Sequence, residues 1–280
     1  RDRTVYELFE EQVLKNPDAI AIVFEDQEVT YKELNERSNQ LARYIRKQYR
    51  RATNQELKPD TLIPLCLERG IDMVIGILGV MKSGGVYVPM DPDYPADRLK
   101  HILSNTNAKL VITQNHIEYR FKEVTDILLI SINEQNSQTV YQGKKATNLS
   151  QYSQATDLAY VIYTSGATGL PKGALISNYQ VIIKLQSIVE TFNIKPENVL
   201  GSRINYIFDP FLRELFIGLI TGAKLVLFSK KELIDFYEIS NKVYKYKINY
   251  LIFVASQLDL FVDYLLTNSS MLDKVKSLSF

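Results

Sequence analysis

The sequence predicts an α/β protein: βα units with mostly parallel sheets flanked by helices. Two patterns carry this reading. Short apolar runs alternate with stretches whose apolar residues recur at helical spacing. Several of the runs, such as Leu158-Ala-Tyr-Val-Ile162, are continuously apolar rather than alternating, as in strands buried on both faces. The 280 residues, 46% hydrophobic and 23% charged, are enough for a large core and one or two domains. Approximate lobes are expected at 1–156 and 157–280.

In chain order, Val5, Leu8, Phe9 and Val13 form a helical stripe that Pro17 ends. Residues 19–24 read as a strand, and Asp26-Gln27 turns the chain into a hairpin. Thr30 with Glu33 reads as a capping box for a helix carrying Leu34, Leu41, Tyr44 and Ile45. Residues 50–59 are polar and are expected to be an exposed loop. A strand at 62–67 leads to a helix through Ile71, Val74, Ile75, Leu78 and Met81, which Gly84-Gly85 stops. Asp91-Pro-Asp-Tyr-Pro95 is a rigid turn, a helix follows through Arg98, Leu99, Ile102 and Leu103, and 109–113 is a strand. Residues 114–156 are the most loop-like stretch, with one apolar run at 127–132. After residue 173 the expected order is helix through Val181 to Val189, extended 199–207, helix 210–220, strand 223–228, helix 231–246, strand 248–254, helix 257–266, and a strand opening at 276.

Charge excludes some function classes. With 33 basic and 32 acidic side chains, nothing suggests nucleic acid or an anionic membrane as partner. Cys66 is the single cysteine, so no internal disulfide exists, and its apolar surroundings predict a buried, inert thiol. His101 and His116, the two histidines, lack metal-ligand spacing and read as surface residues; no metal site is expected from side chains. No long apolar span or leader is visible, so a cytoplasmic location is expected. The chain opens on Arg1, as a piece of a longer protein would.

The chemistry concentrates in Tyr163-Thr-Ser-Gly-Ala-Thr-Gly-Leu-Pro-Lys-Gly173, read as a loop between the 158–162 strand and the helix that begins near 178. Gly166, Gly169 and Gly173 permit tight turns and close approach to a ligand. Main-chain N–H groups, the hydroxyls of Thr164, Ser165 and Thr168, and the ammonium of Lys172 together suit a polyphosphate. The common P-loop differs, because Pro171 precedes the lysine and Gly173 stands where a hydroxyl belongs. Without a ligand, the same composition is simply a flexible connection.

The string resembles the phosphate-binding signature of AMP-forming adenylating enzymes: acyl-CoA ligases, luciferases and the adenylation domains of nonribosomal peptide synthetases. It departs once, with Ala167 where the family has Ser or Thr, removing one hydroxyl. Val29-Thr-Tyr-Lys-Glu-Leu34 with Asn39-Gln-Leu-Ala42, and Leu78 to Pro95, resemble the first two core motifs of adenylation domains. The Tyr87-Val-Pro-Met-Asp-Pro-Asp-Tyr-Pro95 form is similar to peptide-synthetase members, although architectural roles account for these residues as well. The resemblance implies the incomplete large N-terminal subdomain of an adenylate-forming enzyme. It also implies ATP and Mg2+ as cofactors, an amino acid as substrate, and carrier-protein (phosphopantetheine) and condensation domains as partners. Thr164, Ser165, Gly166, Ala167, Thr168, Gly169 and Lys172 would bind the phosphates, with Lys172 stabilising charge during the reaction.

Phe208-Asp209-Pro210 is similar to a further motif whose aspartate holds the substrate ammonium. Asp209 before Pro210 also reads as a helix cap, and Arg213 lies one turn on, within ion-pair reach. By the same resemblance Pro210, Arg213 and Ile252 (with Phe253 the alternative at the last) match side-chain-selecting positions, and Asp-Pro-Arg implies an acidic, glutamate-like substrate. Asn178 stands where many relatives have His and is expected to cap its helix. The family's Tyr-Gly-Pro-Thr-Glu segment is not found, so residues 1–280 alone are expected to adenylate poorly. A truncated relic or partner-binding module is the second reading, and acyl-CoA ligase activity the third.

Overall fold

The computed structural model describes residues 3–133, 138–164 and 170–278. In chain order the elements are α1 (Val5–Lys15), β1 (Ile20–Phe24), β2 (Gln27–Thr30), α2 (Tyr31–Thr53), β3 (Thr61–Cys66), α3 (Ile71–Ser83) and β4 (Gly85–Met90). Then come α4 (Ala96–Asn105), β5 (Leu110–Thr113), β6 (Leu128–Ser131), β7 (Leu158–Thr164), β8 (Lys172–Ser177), α5 (Asn178–Thr191) and β9 (Val199–Ser202). The chain continues with α6 (Asp209–Thr221), β10 (Lys224–Leu227), α7 (Phe236–Tyr246), β11 (Tyr250–Leu251), α8 (Ala255–Thr267) and α9 (Ser269–Leu272). Contacts divide the chain into two units, Arg1–Glu10 with Lys32–Lys184, and Glu11–Tyr31 with Leu185–Phe280.

The first unit holds a six-stranded sheet in the order β6-β5-β3-β4-β7-β8. Its pairs are parallel except β7 with β8. All six residues of β4 are buried, which explains the unbroken apolar reading of its sequence. Every residue of α3 except Asp72 is buried too. Gly79 lets α3 approach α2, since a Cβ there would stand 2.7 Å from Leu41 Cδ2. Gly84 ends α3 in the left-handed conformation (φ 88°), as the Gly-Gly stop predicts.

Lys82 ties this unit together. Its ammonium is buried and bonds Glu10 Oε1 (2.6 Å), Asn35 Oδ1 (2.5 Å) and Asn39 Oδ1 (2.8 Å). Asn35 and Asn39 in turn donate to Asn148 Oδ1 at 2.8 and 2.9 Å. Lys82 lies in the second motif segment and Asn39 in the first, so the two stretches meet directly, in an architectural role. Burial pulls the Lys82 ammonium down to about 8, with Glu10 opposing the shift.

The second unit holds a five-stranded sheet in the order β11-β9-β10-β1-β2, parallel except for the β1–β2 hairpin. Tyr31, at the end of this unit's first segment, has its hydroxyl 2.9 Å from Gly218 O and 2.7 Å from Ala223 O, fastening that segment to the C-terminal end of α6. Phe228, Ile239, Val243, Ile248 and Phe261 form the core on one face of this sheet.

Several elements differ from the sequence reading. Helix α2 continues through residues 50–53, because Arg50 and Arg51 suit a helix C-terminus; Asn54, at φ 55°, ends it. Helix α7 starts at Phe236 rather than 231, where Asp235 accepts from the N–H groups of Tyr237 and Glu238. β11 has two residues, and 276–278 form no strand. Asn178 does not cap α5. Its Oδ1 accepts from Val5 N (3.2 Å) and its Nδ2 donates to Asp157 O (3.1 Å). The cap belongs to Ser177, paired reciprocally with Gln180 as a capping box.

Lys82→Met should destabilise the chain by about 3–5 kcal/mol in urea unfolding, because the Glu10 carboxylate loses its counter-charge. The folded state releases the Lys82 proton at about 8, whereas an unfolded lysine holds it to about 10.4. The unfolded chain therefore binds more protons above pH 8, and wild-type stability should rise with pH between about 8 and 10. That rise should be absent in Lys82→Met. Cys66 is fully buried and its thiol is pushed up to about 12. A thiol reagent at pH 8 should therefore modify it only after denaturation.

Candidate functional site

The glycine-rich stretch is a β-hairpin in its described part, not the expected strand–loop–helix. β8 lies antiparallel to β7 over six residue pairs, from Leu158↔Ser177 to Thr164↔Lys172. The polar, glycine-containing composition concealed a strand. Ser165, Gly166, Ala167, Thr168 and Gly169 lie outside the described residues. Gly173 sits within β8 opposite Tyr163, and a Cβ there would fall 2.8 Å from Val161 Cγ1. Its lack of a side chain therefore serves close packing at this position rather than a turn.

Thr164 and Lys172 end their strands side by side, and both are exposed. An alcohol and an ammonium are thus presented together at the mouth of the hairpin, a donor set that fits phosphate oxygens. Behind them the hairpin is anchored to α4. The Tyr163 hydroxyl donates to Asn105 Oδ1, and His101 Nε2 lies 3.0 Å from Pro171 O. His101 is accordingly half-buried against the hairpin rather than a free surface residue. His116 fits the surface reading, exposed beside Glu68 at 3.0 Å.

In the second unit, Asp209 opens α6 with Phe208 as the cap residue and Pro210 in the first turn. Asp209 therefore sits inside the helix instead of capping it. Arg213 Nη2 is 3.5 Å from Asp209 Oδ2, and both side chains are partly exposed. Such a pair contributes about 0.3–0.5 kcal/mol. Arg213 Nε is buried without a hydrogen-bond acceptor among the described residues.

Ile252 lines a cavity of about 480 Å³ with Glu214, Ile217, Leu200, Phe192 and Tyr250. Of the four side chains expected around the substrate, it is the one that lines this space. Pro210, Arg213, Glu214 and Ile217 recur at positions i, i+3, i+4 and i+7 and so share one face of α6.

Sequence reasoning missed Glu214 and Arg203. Glu214 is 1% exposed, and its Oε2 accepts from Ser202 Oγ (2.9 Å), Arg203 N (3.1 Å) and Ile204 N (3.1 Å). Arg203 donates to Gln257 Oε1 (3.0 Å) and Leu233 O (2.7 Å), with its guanidinium over the Phe253 ring. Burial lowers the pKa of Arg203, and Glu214 opposes that. The available signal was a charged residue, Glu214, directly before the apolar run Leu215-Phe-Ile of α6, although i, i+4 arithmetic alone favoured the Asp209–Arg213 pair. Among the described residues no group of three His, Cys, Asp or Glu side chains is placed to hold a metal ion. No described helix is long and apolar enough to cross a membrane.

These features describe an α/β protein with two mostly parallel sheets, and comparison with known proteins narrows the class. The chain belongs to the AMP-binding enzyme family, whose pattern matches residues 9–279. Within that family it corresponds to the N-terminal part of an adenylation domain of the nonribosomal peptide synthetase type. It is 38% identical over 223 residues to zwittermicin A synthase ZmaJ of Bacillus cereus, covering 80% of this chain and 40% of that protein. Identity to gramicidin S synthase 1 of Brevibacillus brevis is 39% over 237 residues, 84% of this chain and 21% of that protein. The chain thus spans less than half the length of these relatives. The nonribosomal peptide synthetase FmoA3, solved with α-methyl-L-serine-AMP bound, superposes with a TM-score of 0.87 at 22% identity, over 99% of this chain and 29% of that one. At that identity the likeness establishes the fold.

Glu214→Ala removes the acceptor of the buried Arg203 N–H, of the buried Ser202 hydroxyl and of the half-buried Ile204 N–H. It should cost about 2–5 kcal/mol, read as a lowered urea midpoint.

Proposed function

We propose that the chain forms part of an enzyme that condenses an amino acid carboxylate with ATP to an aminoacyl-adenylate and releases pyrophosphate. The aminoacyl group then passes to a phosphopantetheine carrier domain of the same or a partner synthetase. One observation carries the reading: the β7–β8 hairpin, whose sequence matches an adenylating-enzyme signature, presents Thr164 and Lys172 side by side to solvent. Lys172 has no ion-pair partner among the described residues, so its charge is available to departing phosphates. Ser165 to Gly169 contribute further donors in this reading, and Ala167 lowers their number by one hydroxyl. Mg2+ finds no carboxylate cluster among the described residues. It would reach the site on the phosphate oxygens of the nucleotide and neutralise their charge.

Amino acid selection falls to the start of α6 and to Ile252, the residue after β11. Asp209 pairs with the substrate ammonium, and Pro210, Arg213 and Ile252 surround its side chain. The buried Arg213 Nε favours an acidic side chain, because a carboxylate supplies the acceptor it lacks. A glutamate-like substrate follows. The chemistry is then positioning plus charge stabilisation at phosphorus.

Two measurements test this on the longest native polypeptide that contains the chain. Lys172→Ala should weaken ATP binding by about 10- to 100-fold without shifting the melting temperature, since the side chain is exposed. Amino-acid-dependent pyrophosphate exchange should require glutamate or aspartate, and Arg213→Leu should reduce that preference by at least about tenfold. Exchange with leucine but with neither acidic amino acid would show the acidic assignment to be wrong.

A further inference from the structure

We infer that His101 is a positioning residue for the phosphate-binding hairpin, holding the main chain that presents Lys172. The inference rests on the reading of that hairpin as a polyphosphate site. It concerns side chains on α4, outside the glycine-rich signature.

His101 and Asn105 lie one turn apart on α4 and face the same way. Each grips one strand of the hairpin. Asn105 Oδ1 accepts from the Tyr163 hydroxyl on β7, and His101 Nε2 lies 3.0 Å from Pro171 O, just before β8. A carbonyl oxygen only accepts, so this contact places a hydrogen on Nε2. The imidazole also meets the Tyr163 ring edge-on, with centroids 6.5 Å apart at 89°. The two gripped residues immediately precede Thr164 and Lys172, which are themselves register partners. One helix turn therefore fixes the main chain behind both donors.

The Tyr163 hydroxyl stays protonated to serve as donor, because burial holds its pKa above the ordinary value. Proline makes the acceptor side simple. Pro171 has no N–H, so its carbonyl is the one polar main-chain group it offers α4. Losing the His101 bond frees the Pro171–Lys172 peptide to reorient while leaving the β7–β8 ladder intact. Ligand binding should suffer more than folding.

The chain contains two histidines, which makes the test direct. Imidazole proton signals of the 280-residue chain are followed by NMR during titration with MgATP and, separately, with pyrophosphate, His116→Asn providing the assignment. The His101 signal should move to saturation with either ligand, while His116, beside Glu68, stays still. His101→Phe keeps the ring on Tyr163 and removes the N–H; it should weaken both affinities by about three- to tenfold. His101→Gln carries an amide N–H close to the position of Nε2 and should restore affinity to nearly the wild-type value. Equal affinity for wild type and His101→Phe, or a stationary His101 signal during saturable binding, would overturn the positioning role while leaving the polyphosphate reading in place. Failure of the wild-type chain to bind either ligand would overturn that reading, and the role of His101 with it.

Discussion

The ladder between β7 and β8 is the constraint on which the candidate site depends. Antiparallel pairing fixes registration residue by residue, so the position of Thr164 dictates that of Lys172. Two donors eight positions apart in sequence become neighbours through main-chain register alone. The parallel strands β3 and β4 behind the hairpin are buried and set a rigid edge for it. Glycine at 173 then allows Val161 and Tyr163 to pack over the ladder. In the proposed function the sheet supplies position and a short segment supplies chemistry, which is how loops on α/β scaffolds commonly gain function.

Buried charge is the second organising feature. Lys82 in the first unit and Glu214 in the second are both nearly inaccessible; Lys82 draws its partners from distant stretches of chain, and Glu214 from the single stretch 202–204. A charge removed from water is costly without hydrogen-bond partners, so the Lys82 ammonium and Glu214 Oε2 specify theirs closely. Lys82 joins α3 to α1 and α2. Glu214 joins α6 to the chain leaving β9. Asp209 and Arg213, the pair proposed to meet the substrate, are by contrast partly exposed at the start of α6.

Element type was legible wherever local pattern decided it. The apolar stripe of α3, the Gly84 stop, the turn in which Asp91 Oδ1 accepts from Asp93 N, and the β1–β2 hairpin all follow from residue spacing and turn chemistry. Boundaries failed where polar residues served regular structure. Residues 50–53 read as loop because they are charged, yet charge at a helix C-terminus is favourable. Residues 172–177 read as a loop and helix approach because β8 lies at the sheet edge, where little apolar sequence is needed. The site was legible as residue types at Thr164, Lys172, Asp209 and Arg213. His101, Asn105 and Glu214 carried no local mark of their contacts.

By itself, the sequence determined the alternation of strand and helix, the stops between them, and a motif bearing hydroxyls, glycines and one lysine. Those properties depend on residues within a few positions of one another. Only the tertiary structure decided that β1 pairs with β10 some two hundred residues later, that Lys82 faces Asn39, and that α4 holds the phosphate-signature hairpin. Each of these joins segments whose separation in the chain leaves no periodic trace. Burial and the need to pair buried polar groups select them once the whole chain is folded.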